Sequence, residues 1–180
     1  NISYIDDKIG EILAVLEATR QEAIVVFLSD HGDMLGERGL WFKMSFFEGS
    51  ARVPFLVSAP PDLGIEPGTV MEMPATHADL MPTLLDMLGI PVPDTADGLS
   101  LYPYMTGRKP AEERVLHIEH SPNQHALTDG KWKYIWIPGD GSEQLFDLGL
   151  LGGAQFAVEV SAEQFVFRYV SHHSSTIRTS

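Results

Sequence analysis

The amino-acid sequence predicts an α/β fold that is followed by a small antiparallel β-sheet. An amphipathic helical pattern opens the chain, and two short, unbroken apolar runs follow it at residues 23–28 and 53–58. Helices that alternate with wholly apolar strands are typical of α/β proteins, because the helices cover both faces of the sheet. Beyond residue 110, short β-rich runs succeed one another without helices between them, which indicates antiparallel pairing.

The opening helix is predicted from apolar residues spaced three and four apart, behind a candidate N-cap at Ser3. Its apolar stripe consists of Ile5, Ile9, Ile12, Leu13 and Leu16. We expect this stripe to cover a sheet, since an apolar helix face normally packs against the core. The apolar runs at residues 23–28 and 53–58 are predicted as strands that are buried on both faces.

Between and after these strands the pattern changes to turns and shorter helices. The three glycines and mixed charges of residues 32–40 predict a loop, and residues 44–49 predict a short helix. Thr76 is a candidate N-cap for a helix over residues 77–88. The stretch 90–110 is rich in Pro, Gly and Asp, so we expect it to run over the surface.

The last part of the chain predicts the small antiparallel sheet. Four β-rich runs are found at residues 115–119, 126–128, 132–137 and 144–148. The dipeptide Asp129-Gly130 between two of these runs is a strong hairpin signal. Farther on, the loose alternation of residues 157–170 leaves a strand and a weak helix open.

The composition narrows the classes of function. Of 180 residues, 44% are hydrophobic, and 12 Lys+Arg against 25 Asp+Glu give a formal net charge of −13. This charge argues against nucleic acid or an anionic membrane as the main partner. A small anionic substrate stays open, since a local metal ion and lysine can outweigh the average field. The absence of cysteine excludes disulfides, thiolate zinc sites and a cysteine nucleophile.

The sequence contains no apolar run long enough for a transmembrane helix. We therefore expect a soluble protein that does not insert into membranes. A cytoplasmic and a periplasmic location both stay open, because a chain without cysteine is stable in either redox setting.

Asp30 and His31 are the strongest candidates for a functional site. They directly follow the apolar run 23–28, and the ligands of open α/β sheets collect at the carboxyl ends of strands. A carboxylate oxygen beside an imidazole nitrogen suits Mn²⁺, Zn²⁺ or a tolerant Ca²⁺ site. The alternative interpretation is a strand-end turn in which Asp30 only caps backbone amides.

Lys43 is the second candidate, because it stands alone among aromatic residues. These residues are Trp41, Phe42, Phe46 and Phe47. An ammonium group at this place could neutralise the oxygens of a bound sulfate or phosphate. The structural alternative is a lysine that lies along the aromatic side chains or makes a cation–π contact.

Other charged residues near these candidates have structural interpretations. Glu48 and Arg52 have the i, i+4 spacing of a helical ion pair. His77 and Asp79 stand at the start of a predicted helix, where capping and packing explain them better than metal binding does.

Three further histidines, His117, His120 and His125, fall in a predicted strand and the loop after it. They lack the i, i+4 spacing by which two histidines on one helix face bind a metal ion. The sequence therefore assigns them no functional role.

Several motifs, in this order along the chain, resemble the carboxyl-terminal half of sulfatases. Within that family the resemblance is strongest to the branch of choline-sulfatases and phosphonate monoester hydrolases. The first motifs are Ser29-Asp30-His31-Gly32-Asp33, Gly36-Glu37, Lys43 and Phe47-Glu48-Gly49-Ser50-Ala51-Arg52-Val53-Pro54. The later motifs are residues 79–89, 127–134 and 144–147. Together they extend the resemblance over residues 1–148.

The resemblance implies an alkaline-phosphatase-like α/β fold with a small carboxyl-terminal antiparallel sheet. On this basis residues 1–110 form a partial alkaline-phosphatase-like α/β domain. Residues 111–148 form a small antiparallel β subdomain. Residues 149–180 are an atypical tail to which we assign no structure.

The resemblance also implies a sulfate-ester substrate, a divalent metal ion and a formylglycine made from Cys or Ser in a Cys/Ser-x-Pro-x-Arg motif. By motif match, Asp30 and His31 would be metal ligands, and Ca²⁺ or Mn²⁺ is the expected ion. Many sulfatases carry Asn at the position of His31, which leaves the identity of the metal open. Lys43 would bind the sulfate group and act as a catalytic residue.

The chain departs from the family pattern at both ends. It lacks the formylglycine motif, since residues 58–62 have the wrong last residue and lie in the wrong place, and it lacks the aspartates that complete the metal site. The tail after Leu148 also differs from the usual continuation. We therefore expect a missing amino-terminal half that carries the formylglycine, and a chain that is inactive by itself.

Two alternatives stay open. A phosphodiester or phosphonate monoester hydrolase of the same superfamily would share the metal and the lysine, and would differ in the upstream nucleophile and substrate pocket. A non-catalytic remnant would instead bind a partner or form an oligomer through strand edges and an apolar face, and should then expose much apolar surface.

Overall fold

The computed structural model describes residues 2–120, 123–149 and the strand residues 157–158. The first half of the chain forms α1 (Ile2–Thr19), β1 (Val25–Leu28), β2 (Met34–Leu35), β3 (Trp41–Phe42), α2 (Glu48–Ala51) and β4 (Phe55–Ser58). The second half forms α3 (Leu80–Met87), α4 (Tyr102–Met105), β5 (Leu116–Glu119), β6 (His125–Thr128), β7 (Trp132–Ile137), β8 (Ser142–Asp147) and β9 (Ala157–Val158). Single 3-10 turns occur at Glu37–Gly39, Pro61–Leu63 and His77–Asp79.

The described strands form three antiparallel sheets. β1 pairs with β4, β2 pairs with β3, and β5 to β9 form a five-stranded sheet in chain order. The predicted terminal sheet is therefore confirmed, including the turn at Asp129-Gly130 that joins β6 to β7. Gly130 has a φ of 87°, and the Asp129 carboxylate accepts the backbone N–H groups of Lys131 and Trp132. This conformation suits glycine because it lies in the left-handed region.

Only the start of the stretch 157–170 lies within the described residues. Ala157–Val158 forms β9, whose residues pair with Leu145 and Phe146 of β8. The remainder of the predicted tail lies outside the described residues. The division of the chain at residues 110 and 148 stays a prediction.

The larger apolar cluster lies between the terminal sheet and the segment that precedes α2. Phe46, Ala126, Ile135 and Phe146 are buried in it, and Phe47, Ile118 and Leu148 pack around them. Ala126 stands opposite Ile135 in the ladder between β6 and β7. Because opposite residues share one face of a sheet, this register defines the inner face of the terminal sheet. The cluster thereby attaches the sheet to the residues that follow Lys43.

The start of α3 confirms the predicted cap and the structural interpretation of Asp79. Thr76 and Asp79 form a reciprocal capping box around the 3-10 turn. The Asp79 carboxylate is fully buried, accepts the backbone N–H of Leu99 and makes two hydrogen bonds of 2.6 and 2.7 Å with Arg114. A buried carboxylate needs such partners, so Asp79 is a structural residue.

The stretch 90–110 is more ordered than a surface connection. It contains α4, and its residues Leu101 and Tyr104 are buried against Met73 in a second apolar cluster. Apolar side chains at three-residue spacing placed this short helix against the core, although Pro and Gly dominate the stretch around it.

The predictions for α1 are corrected in two respects. The helix begins at Ile2, so Ser3 lies inside it and is not an N-cap. None of its residues is buried, and Ile12 and Val15 are each more than half exposed. The expectation that its apolar stripe covers a sheet is therefore wrong within the part of the chain that is described, where Ile9 and Leu16 are only half-buried and the rest of the stripe is exposed.

The burial predicted for the first two long strands is also wrong. β1 and β4 contain no buried residue, and Phe27 and Leu56 are exposed. An apolar run indicates only that a strand would favour burial. A sheet of two strands has few neighbouring elements that could cover its faces. Within the described residues, each helix is too short or too polar to cross a bilayer.

The loop and short helix predicted after β1 are also refined by the structure. Residues 32–40 include β2 and the Glu37–Gly39 turn rather than irregular chain alone. The short helix is α2, which starts at Glu48 and so lies four residues later than the predicted 44–49. The residues that precede α2 form bends instead, and they carry Lys43.

Candidate functional site

The turn that follows β1 brings Asp30 and His31 together. The Oγ of Ser29 donates a hydrogen bond of 2.7 Å to the His31 carbonyl, and Oδ1 of Asp30 accepts the backbone N–H of His31 at 2.9 Å. These bonds curl the backbone directly after the strand. The Asp30 side chain stays 85% exposed, so its second oxygen faces solvent and is accessible to a ligand.

The contacts of the His31 ring indicate which of its two nitrogen atoms carries the proton in the neutral form. Its Nδ1 lies 2.9 Å from the carbonyl oxygen of Gly32, which can only accept a hydrogen bond, so Nδ1 carries the proton. In the neutral ring, Nε2 then has a free lone pair. Nε2 lies 3.5 Å from Oδ2 of Asp30, so a carboxylate oxygen and an imidazole nitrogen converge. A backbone carbonyl that orients the ring in this way is common behind metal-binding histidines.

The surroundings of Asp30 favour its charged form. The hydrogen bond from the His31 backbone N–H is the largest cause that lowers the pKa of Asp30, and the positive charges of the protonated His31 ring and of Lys43 lower the pKa further. Because a hydrogen bond to the carboxylate stabilises the anion, Asp30 offers a negative oxygen at neutral pH.

A close backbone contact joins this turn to α2. The N–H of Gly32 donates a 2.8 Å hydrogen bond to the Ser50 carbonyl. A Cβ atom at Gly32 would lie 2.1 Å from the carbonyl oxygen of Gly49, so only glycine permits this approach. The buried Ser50 side chain in turn donates from Oγ to the carbonyl oxygen of Lys43. One short chain of hydrogen bonds thus connects the Asp30–His31 turn with the backbone of Lys43.

Lys43 is exposed, and its charge helps to lower the pKa of Asp30. The residue before it, Phe42, has a φ of 68°, which is an uncommon and strained value for a bulky residue. Close by, Oγ of Ser45 is buried and has no hydrogen-bond partner among the described residues. The backbone around Lys43 is therefore specifically shaped, and it leaves a polar atom unpaired beside the lysine.

The aromatic residues around Lys43 do not act as the sequence suggested. In this segment the cation over an aromatic ring is Arg38, whose guanidinium carbon lies 4.5 Å from the centre of the Phe47 ring. Phe46 turns inward and joins the buried cluster. Within the described residues no cation–π contact of Lys43 is found, which favours the interpretation of an accessible cation.

Lys133 is the positioning residue that the sequence did not reveal. Its side chain is 3% exposed, and its Nζ lies 2.8 Å from the carbonyl oxygen of Phe46 and contacts the Glu48 carboxylate. The predicted Glu48–Arg52 pair exists only at 4.0 Å with Arg52 80% exposed, so Lys133 is the main partner of Glu48. The sequence signal that could have revealed this role is the position of the lysine in a strand of alternating polarity, at a place whose side chain points towards the core.

Three histidines have contacts that their spacing did not predict. His77 Nε2 lies 2.8 Å from the carbonyl oxygen of Ser29, so His77 holds the end of β1 against the start of α3. His117 and His125 face each other across β5 and β6, with 3.1 Å between Nε2 and Nδ1. The first contact supports the candidate site, and the second lies on the outer face of the terminal sheet.

The donor set of the turn is compatible with a divalent cation, although it is incomplete. Asp30 supplies a charged oxygen and His31, in its neutral form, an unprotonated nitrogen, a mixture that Mn²⁺ accepts readily and Ca²⁺ accepts when further oxygens join. Within the described ranges, no third histidine or carboxylate completes a cluster with these two residues. The turn therefore presents two of the donor types that a divalent cation uses, and the charge of Lys43 acts on the same Asp30 carboxylate.

Comparison with known proteins places this arrangement in a family context. The sulfatase family model matches residues 1–90. The choline-sulfatase of Rhizobium meliloti (strain 1021) is 46% identical over 157 residues, which are 82% of this chain and 30% of that protein. An arylsulfatase of Clostridium perfringens (strain 13 / Type A) is 38% identical over 155 residues, which are 82% of this chain and 32% of that protein.

Solved structures agree with this match. The phosphonate monoester hydrolase of Silicibacter pomeroyi has a TM-score of 0.68 and 32% identity, over 82% of this chain and 33% of that chain. A protein solved with its substrate D-glucosamine-2-N,6-O-disulfate has a TM-score of 0.67 and 24% identity, over 82% of this chain and 32% of that chain, which shows the fold alone. The predicted alkaline-phosphatase-like fold class is confirmed, and the chain spans about a third of the length of these relatives.

Proposed function

Because this chain belongs to the sulfatase family, we propose that it forms the carboxyl-terminal part of the active site of an enzyme that hydrolyses sulfate esters. The observation that carries the proposal is the turn after β1, where an anionic Asp30 oxygen and His31 Nε2 converge to 3.5 Å. The chain covers only 30% of the choline-sulfatase that it resembles, so the activity is proposed for the whole protein.

In this proposal Asp30 and His31 hold a divalent ion, Ca²⁺ or Mn²⁺. The bound ion would supply a positive charge that polarises the sulfate oxygens. The role of the protein is to present both ligands in a fixed orientation, which the Gly32 carbonyl does for His31 and the His31 N–H does for Asp30. A ligand set that is oriented in advance loses little entropy when the ion binds.

Lys43 is the proposed substrate-binding and catalytic residue of this chain. Its ammonium group would bind the sulfate oxygens and stabilise the charge that develops on the leaving-group oxygen. Ser50 fixes the carbonyl of Lys43, and Gly32 is bonded to the same serine, so the lysine and the metal ligands share one support.

The nucleophile is expected outside this chain. Formylglycine would supply, as its hydrated aldehyde, the oxygen that attacks sulfur. Its Cys/Ser-x-Pro-x-Arg motif does not occur in the 180 residues, so we expect no turnover by this chain alone. An intact mass of the natural gene product well above 19.9 kDa would support this division of the site.

A phosphonate monoester hydrolase is the second candidate. The match to the enzyme of Silicibacter pomeroyi, at 32% identity and a TM-score of 0.68, favours it. The same cation-binding turn and lysine serve either substrate, because sulfate and phosphonate groups both present negatively charged oxygens. The complete gene product should therefore be assayed with choline sulfate and with an aryl phosphonate monoester side by side.

A non-catalytic partner-binding protein is the candidate from another class. The exposed apolar residues of α1, among them Ile5, Ile12 and Val15, are the observation in its favour. Turnover of either ester by the complete gene product, lost on mutation of Lys43, would exclude this candidate.

Metal binding can be tested on the 180-residue chain itself. We expect Asp30→Asn to weaken Mn²⁺ binding, measured by equilibrium dialysis, because the amide lacks the negative charge of the carboxylate. The matched control is Asp33→Asn, an exposed carboxylate three residues away in the same loop. Equal affinities of the two variants would contradict the assignment of Asp30.

The role of Lys43 is tested in the complete gene product. We expect Lys43→Ala to lower kcat/KM by about 100-fold, the usual loss when one group that stabilises transition-state charge is removed. Lys8→Ala on the exposed face of α1 is the control and should retain activity. Normal Mn²⁺ binding by the Lys43 variant would show that the site itself is intact, whereas full activity would refute the role.

A further inference from the structure

The outer face of the terminal sheet carries a second group of potential metal ligands. His117 and Glu119 lie two residues apart on β5, and Glu119 stands opposite His125 on β6. Residues two apart on a strand, and residues opposite each other in a ladder, share one face of the sheet. One ligand atom from each of the three side chains lies within 4.8 Å of the others.

The two imidazole rings are spaced for a shared ion. Nε2 of His117 and Nδ1 of His125 are 3.1 Å apart, and without an ion they share one hydrogen bond. Two Zn–N bonds of the usual length at a tetrahedral angle place their nitrogen atoms about 3.3 Å apart. The observed separation of the two nitrogen atoms is therefore close to the separation that one shared ion requires.

The backbone positions these donors in advance. The ladder between β5 and β6 includes all four residues of each strand, so the separation of the three side chains does not depend on a loop. The Trp136 ring of β7 packs against His125 with 5.4 Å between ring centres, which restricts that imidazole. His117 and Glu119 are exposed, so an ion can reach the group from solvent.

The chemistry of the donors selects the class of ion. Two imidazole nitrogens and one carboxylate oxygen suit Zn²⁺, Ni²⁺ and Cu²⁺, whereas Ca²⁺ and Mg²⁺ prefer oxygen ligands. The net charge of −13 attracts all cations alike, so a preference for Zn²⁺ over Ca²⁺ would have to come from these donors. Three protein ligands leave the fourth tetrahedral position to water.

We propose that His117, Glu119 and His125 form a binding site for one divalent cation of the zinc class on the outer face of the terminal sheet. This site is separate from the turn at Asp30 and His31, which follows β1. It links the edge strand β5 to its neighbour, so the ion stabilises the folded sheet by binding only when the register is correct.

The test is a calorimetric titration of the tag-free 180-residue chain with ZnCl₂, in an Asp30→Asn background that removes the carboxylate ligand of the turn. We expect one Zn²⁺ per chain. His117→Gln and Glu119→Gln should each weaken Zn²⁺ by at least about tenfold, since even loss of an outer-shell partner of a metal ligand has this effect. Both residues are exposed, so the variants should fold, which circular dichroism can verify.

The matched control is His120→Gln, an exposed histidine next to the group but not part of it. Its Zn²⁺ affinity should equal that of the parent. Zn²⁺ should also raise the thermal unfolding midpoint of the parent at a concentration where CaCl₂ does not. Undiminished Zn²⁺ affinity in both the His117 and Glu119 variants, or an equal loss in the His120 variant, would overturn the proposal and leave a histidine–histidine hydrogen bond only.

Discussion

Nζ of Lys133 on β7 lies 2.8 Å from the carbonyl oxygen of Phe46, a residue 87 positions earlier in the chain. The same ammonium group contacts Glu48 at the start of α2. Because Phe46 and Glu48 follow Lys43 closely, the terminal sheet supports the segment that carries the candidate catalytic lysine. A cation that is buried to this extent needs such partners, so the contact constrains both elements.

The first prediction concerns this contact. Lys133→Met should lower the free energy of unfolding by about 3 kcal/mol, because it leaves the half-buried Glu48 carboxylate without its cation and a carbonyl without its donor. Urea unfolding measures the change. Lys131→Met, on the exposed turn before β7, should change stability by no more than about 0.5 kcal/mol. The same loss in both variants would mean that the buried contact contributes nothing particular.

The second prediction concerns the close approach of Gly32 to Gly49. Gly32→Ala should destabilise the fold by about 2–4 kcal/mol, since its Cβ would lie 2.1 Å from a carbonyl oxygen and must push α2 away. Gly10→Ala is the control, because a Cβ there would meet no atom within 4 Å other than the adjacent residues and the backbone of α1 itself. It should stabilise by about 0.5–1 kcal/mol through helix propensity. Similar thermal midpoints for the two variants would contradict this prediction.

The third prediction concerns the buried pair of Arg114 and Asp79. Arg114→Lys should reduce stability by about 2–4 kcal/mol despite the retained charge, because lysine cannot make the two parallel hydrogen bonds to the carboxylate. Arg52→Lys, at an arginine that is 80% exposed, should be nearly neutral. Guanidinium chloride unfolding compares them, and a neutral Arg114→Lys would show that charge alone holds Asp79.

The fourth prediction concerns Tyr134 at high pH. Burial, followed by a hydrogen bond from the phenol to Glu143 and the charge of that carboxylate, raises the pKa of Tyr134 from 10.0 to about 12. Since the folded state then binds the proton more tightly than the unfolded state, the stabilisation is complete below pH 10 and disappears as the pH rises towards 12. Absorbance titration of tyrosinate should reveal a step near pH 12 from Tyr134, besides Tyr104, whose pKa is raised chiefly by its hydrogen bond to Glu112.

Two variants assign the step near pH 12. Tyr134→Phe should remove it from the titration, and Glu143→Gln should shift it to lower pH because the repelling charge is gone. A step near pH 12 that persists unchanged in Tyr134→Phe would contradict this assignment.

Much of the architecture could be predicted because it depends on local patterns. The alternation in β7 and the Asp129-Gly130 turn identified a hairpin, and Thr76 with Asp79 identified a helix start. The assignments of Asp30, His31 and Lys43 as site residues stay predictions, but the structure is consistent with them, since one hydrogen-bonded support lies beneath all three.

The contacts that could not be predicted join residues far apart in the chain. Lys133 and Glu48, Arg114 and Asp79, and His117 and His125 are brought together by strand register or by packing. The exposure of the apolar stripe of α1 could not be predicted either. An apolar stripe indicates that a helix favours burial, but it does not indicate whether another element packs against it.

Residue spacing alone therefore determined the opening helix, the terminal hairpin, the start of α3 and the residue types that follow the first strand. Those properties arise from interactions between residues at most four positions apart. Only the tertiary structure decided that a lysine of the terminal sheet supports the candidate site and that two histidines face each other across a ladder. Register and packing depend on the energy of the whole chain, and shifting any one of these strands by a single residue would move its own side chains to the opposite face.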